Sequence, residues 1–177
     1  MDRPSVPYNM QPSEALSTSA QLAITLAGFA GVVVAFRSGA IHEWSKMDKF
    51  RLEILLSNSG LPFVLSLLAM VLMTTKVGET TTWRLCSLIA FIITAARGQV
   101  LSRTFRTFSR EELKASGSKR WIFYTSGALG IAATVLQIYN VISAQAFWPF
   151  FAMIATWLCL AMVQFVLLVT APPVPKS

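Results

Sequence analysis

Few side chains in this sequence are of a type and spacing that could do chemistry. The single histidine, His42, stands next to Glu43, and one imidazole with one carboxylate does not make a metal site or a nucleophile-activating dyad. Cys86 and Cys159 each lie inside an apolar run at different depths, so neither a disulfide nor a thiolate metal site is expected. There is no glycine-rich phosphate loop, nucleophile elbow or pair of carboxylates within an apolar run. Haem ligation would need a second axial ligand that His42 cannot find. The sequence therefore predicts no enzyme, no cofactor and no metal.

Three constellations remain. The first is Arg97, which lies in an apolar run about 20 Å along a helix counted from Trp83, still inside a hydrocarbon layer about 30 Å thick. A charge there is costly unless it is paired or snorkels to the headgroups. Glu53 is the one acidic residue near that depth, so an intramembrane Glu53/Arg97 ion pair is expected, with snorkelling as the alternative. The second is the polar run Ser57, Asn58, Ser59 and Gly60 ahead of Pro62. Proline removes a backbone donor, so this stretch is read as a break or kink, either satisfied by neighbouring helices or lining an ion or solute path. The third is a small-residue face in the first apolar run, Ser19, Ala23, Ala27, Gly31 and Ala35 at four-residue spacing with Gly28 beside them. Without hydrophobic drive between helices in lipid, such a face lets helices approach closely. Its partner is either another helix of the same chain or a neighbouring subunit. Ser126 and Gly130 with Ala128 and Ala132 repeat the pattern in the fourth run, making that run the natural intrachain partner.

These residues must be positioned by membrane helices. With 54% hydrophobic and 13% charged residues and a mean hydropathy of +0.58, the composition does not suit a water-soluble domain. The expected fold is all-α, a polytopic bundle of five spans at residues 20–36, 54–75, 83–102, 121–143 and 147–171. Residues 1–19, with Pro4, Pro7 and Pro12, read as an extended tail. Residues 37–53 read as an amphipathic segment in which Ser45 and Asp48 resemble a capping box and Met47, Phe50 and Ile54 share a face. Residues 103–120 form a basic connection and 172–177 a short tail.

Net charge is +7, but its carriers gather in two connections rather than in a basic domain, so nucleic acid is not the expected partner. Arg37, Lys46, Lys49 and Arg51 fall between the first two spans, and Arg97 to Arg120 follow the third. By the positive-inside rule both face the cytoplasm, which puts the N-terminus outside and the C-terminus inside. Gln99, Arg103, Arg106 and Arg110 share one helical face, opposite Leu101, Phe105 and Phe108, and are expected to touch anionic lipid headgroups. Ser109 and Glu112 read as the start of a further short helix that Gly117 ends.

The run Gly28-Phe29-Ala30-Gly31, Leu61-Pro62, Trp83-Arg84 with Ser87, and Gln164-Phe165 resemble small uncharacterised bacterial multi-pass membrane proteins. The resemblance implies a bacterial inner membrane and carries no activity. The expected function is a non-enzymatic membrane subunit or scaffold that packs against itself or another membrane protein. The alternative is a homo-oligomeric channel or small-solute transporter built around Ser57, Asn58 and Pro62.

Overall fold

A computed structural model describes residues 11–36, 44–109 and 120–170. The described chain holds helices and no strands, and five of the helices are long and apolar enough to cross a membrane. They are α1 (Pro12–Phe36), α2 (Lys46–Met73), α3 (Glu79–Arg106), α4 (Arg120–Tyr139), which runs on into a π-turn at Asn140–Ala144, and α5 (Phe147–Thr170).

The ends of the elements follow from local chemistry. Helix α1 begins at Pro12, eight residues before the expected start at 20 and inside the expected tail. Proline suits the first helical position, where its missing N–H has no partner to lose, and the Gln11 carbonyl accepts from the Glu14 and Ala15 amides. The Ser45 hydroxyl caps α2 by accepting from the Asp48 amide at 3.1 Å. From Lys46 on, the amphipathic segment and the second span are one continuous helix. At its start Met47, Phe50 and Ile54 pack with Leu101, Phe105, Phe108 and Phe123, as their common face predicts. Helix α3 extends the expected span by about one turn at each end.

The short connections after α2 and after the π-turn make α2/α3 and α4/α5 antiparallel neighbours. Helices α2 and α5 form the centre, α1 packs on both of them, and α3 and α4 pack on each other and complete the bundle against α2 and α5. The expected pairing of the first span with the fourth is not the principal one; α1 takes α2 and α5 instead. Ser126 and Gly127 of α4 border a groove instead, Gly130 lies against α5, where a Cβ would meet the Trp157 ring at 3.5 Å, and Ala20, Ala23 and Ala30 of α1 are buried.

Polarity is distributed inside out relative to a water-soluble protein. Leu22, Ile92, Ile131, Ile142 and Val169 point outward and are more than half exposed, while Asn58, Ser66, Ser87, Thr94, Gln137, Asn140 and Gln164 are buried. An apolar exterior around a polar seam suits a lipid solvent, where polar groups gain most by bonding to one another.

Candidate functional site

The polar seam centres on Arg97. Its Nη2 donates to Asn58 Oδ1 at 2.7 Å, and its guanidinium carbon lies 5.0 Å from the centre of the Trp157 ring. Three helices thus meet on one cation, α3 supplying the charge, α2 an amide acceptor and α5 an aromatic face. A charge-assisted hydrogen bond and a desolvated cation–π contact are each among the stronger polar interactions available. Both point the side chain into the bundle, so it does not snorkel.

Glu53 is not that cation's nearest partner. It is exposed, and no ion pair joins it to Arg97 within 4.0 Å among the described residues. The two flank a cleft of about 90 Å³ whose wall includes Ser57, large and polar enough for water to bridge them. The expected direct pair is therefore replaced by the Asn58 bond. Arg97 Nη1 is buried and unpartnered among the described residues.

The polar run before Pro62 does not break α2. The helix continues through Pro62, which is fully buried, in a span packed by α1, α3 and α5. Proline at 62 still withholds the amide that would bond the carbonyl of residue 58. Asn58 is thus the point where backbone and side chain both offer acceptors. Ser59 Oγ satisfies itself on the Leu55 carbonyl at 2.9 Å. Ser57 and Gly60 are half-buried.

Beside this seam, in the half of the bundle where α3 finishes and α4 begins, the two helices leave a gap whose end is bridged by the Phe105 and Phe123 rings, 5.7 Å between centroids. The gap is a groove of about 730 Å³, within the range that holds one drug-sized molecule. Ala95, Gly98 and Ser102 of α3 and Ser126, Gly127 and Gly130 of α4 form its sides, and Asn58, Trp157 and Gln164 its floor. The small residues expected to draw helices together instead leave room between them. Gln164 is 1% exposed, and its Oε1 has no partner among the described residues.

From the deep end of the groove, which Thr94 and Thr134 line, to the far end of the bundle the same helices are fastened. Thr134 Oγ1 donates to Thr94 Oγ1 at 3.3 Å, and Asn140 Nδ2 to Ser87 Oγ at 2.7 Å. Asn140 also bonds both the amide and the carbonyl of Ala146, which holds the tight turn where Gln145 adopts a left-handed φ of 45°. Gln137 donates to the Pro149 carbonyl at 3.0 Å. Gln137 and Asn140 therefore serve the turn and stay apart from Asn58.

The α1 face divides. Ala23 is buried and Ala27 half-buried, but Gly28, Gly31 and Ala35 are exposed, and a Cβ at either glycine would meet nothing within 4 Å. Every fourth residue drifts by about 40° around a helix of 3.6 residues per turn, so a stripe that starts against α2 and α5 ends facing outward. Arg103 and Arg106 are exposed and form no ion pair among the described residues. Arg110, Glu112, Gly117, His42 and Glu43 lie outside the described residues.

Sequence reasoning missed Trp157 as the cap on Arg97, and it missed the groove. The signal for the first was depth, since Trp157 sits mid-span in α5 as Arg97 does near the middle of the bundle in α3. Among the described residues no group of three or more histidine, cysteine or carboxylate side chains gathers as metal ligands would. Protein-family models, curated proteins and solved structures give no match.

Proposed function

We propose that this chain is a non-enzymatic subunit of a bacterial inner membrane, which joins another transmembrane helix through the outward face of α1. The observation that carries this reading is the division of that face. Gly28, Gly31 and Ala35 are left exposed with open space over both glycines, although Ala23 on the same stripe is already used inside the chain. Small side chains let a second backbone come close, and dispersion contacts plus weak Cα–H hydrogen bonds then hold the pair. The partner is a second copy or another membrane protein. The packing reading fits better than an oligomeric pore lined by α2, because α2 is the most enclosed span and has α1, α3 and α5 against it.

The orientation that goes with this reading keeps the basic segments around 37–51 and 97–120 in the cytoplasm, with the N-terminus outside. Its support is the charge asymmetry of the connections. Labelling of single cysteines in intact cells tests it: Gly78→Cys is expected to react with an impermeant maleimide and Ser109→Cys only after lysis.

The association itself is tested by cross-linking Gly31→Cys in native membranes and by the mass of the purified protein in detergent. Oxidation is expected to yield a cross-linked species, and Gly28→Leu with Ala35→Leu in the Gly31→Cys background to reduce it at least tenfold. A wild-type protein that is monomeric in detergent and copurifies with no membrane protein, together with no cross-link from Gly31→Cys, would end this reading.

A further inference from the structure

The groove between α3 and α4 is a different surface from the α1 face, and its shape and charge identify an occupant. We infer that it holds one acidic phospholipid of the surrounding bilayer, with an acyl chain along the groove and the headgroup at Arg106.

Length is the first argument. The wall formed by α4 runs from Phe123 to Val135, about 18 Å at the helical rise. One leaflet's hydrocarbon is about 15 Å deep. The lining residues Gly98, Ser102, Gly127 and Ile131 are exposed, so the groove opens sideways, and a chain lying in it with its head at Arg106 would reach the bottom, beside Trp157, at the depth where chains of one leaflet end.

The second argument is chemical. The walls are overwhelmingly apolar, and the polar floor is recessed, with Asn58 3% and Gln164 1% exposed. A chain lying over it meets mainly Ile54, Leu160, Ile131 and Val135. Among the described residues the lining has one charged side chain, Arg106, at the mouth, and no carboxylate. Arg103 lies one turn before it and is also exposed. Tyr124 borders the mouth, and Trp121, 61% exposed, lies one turn before it. Such amphipathic rings settle at headgroup level. Headgroup-level rings, a cation without an ion pair among the described residues and a chain-length slot thus coincide at one end of the groove. An anionic head satisfies that arrangement, whereas a zwitterionic head adds a positive charge beside two arginines. A basic side chain at a membrane surface favours an acidic lipid by about fivefold.

The test uses the full chain. Protein exchanged into micelles with equal phosphatidylglycerol and phosphatidylcholine is weighed by native mass spectrometry. One retained lipid is expected, with phosphatidylglycerol favoured about fivefold or more, and Arg106→Gln should bring the ratio near one. Gly98→Leu with Gly127→Leu fills the slot where a Cβ meets nothing within 4 Å, and should abolish retention with helical content unchanged. Should that variant not fold, phosphatidylglycerol carrying a photoreactive acyl chain is cross-linked to the wild type. Adducts are expected to concentrate in 95–106 and 123–135. Equal retention of the two lipids, full retention by the leucine variant, adducts spread evenly over five helices, or recovery of a neutral isoprenoid or a second protein helix in the slot would each overturn the inference.

Discussion

The Arg97 guanidinium is stabilised by one amide oxygen and one indole face, and the two contacts have different consequences when removed. Asn58→Leu leaves a buried cation without its acceptor and should lower unfolding free energy by about 2 to 3 kcal/mol, measured by denaturant titration in detergent. Arg97→Met in that background should restore most of the loss, because removing both polar partners is far cheaper than removing one. Asn58→Asp places a formal anion at the same 2.7 Å contact and should raise the melting temperature. Glu53→Gln, by contrast, should change stability by less than about 0.5 kcal/mol, as an exposed charge that makes no direct ion pair contributes little. These residues show how far the sequence could be read. That Arg97 was costly in lipid followed from its depth alone. Its partner did not, because an acid was favoured as the natural mate of a base, while facing helices bring whichever acceptor shares the depth, and that acceptor is Asn58.

At the scale of elements, the turn between α4 and α5 depends on Asn140, whose side chain makes three hydrogen bonds within and across helices. Asn140→Ala should cost about 2 to 4 kcal/mol and Ser87→Ala about 1 kcal/mol, with a coupling near 1 kcal/mol in the double-mutant cycle. Helix α1 offers a second contrast. Ala23→Leu forces bulk into a contact that is 1% exposed and should destabilise the monomer by about 1 to 3 kcal/mol. Gly31→Leu adds the same bulk outward and should leave monomer stability within about 1 kcal/mol. The five spans themselves were legible because apolar length and charged connections are local properties. The unbroken course of α2 through Pro62 was not, since whether proline interrupts a membrane helix is decided by the neighbours that hold it. The same reason hid the division of the α1 stripe.

Taken as a whole, the molecule has a tight centre and one loose corner. Helices α2 and α5 carry many of the fully buried side chains, including Leu55, Leu65, Phe150, Met153 and Ile154, whereas 95–106 and 123–131 border the groove. Amide exchange in detergent should accordingly be slowest in the middles of α2 and α5 and faster along the groove walls, and acidic phospholipid should slow the walls selectively. Which helices neighbour which was the least legible property, because in lipid every span is apolar on all sides and the period that marks an inner face in water is faint.

Hydrogen bonds fasten α3 to α4 at one end, whereas at the other the pair meets through the non-directional contact of the Phe105 and Phe123 rings, 5.7 Å between centroids, which gives it the mechanics of tweezers with soft tips. Ser87 and Asn140 act as the rivet, and Thr94 and Thr134 limit how far the blades can part near it. A change in lateral pressure confined to the leaflet around Arg106 would therefore act on rings that can slide past one another, while the same change in the opposite leaflet would have to break hydrogen bonds at the rivet.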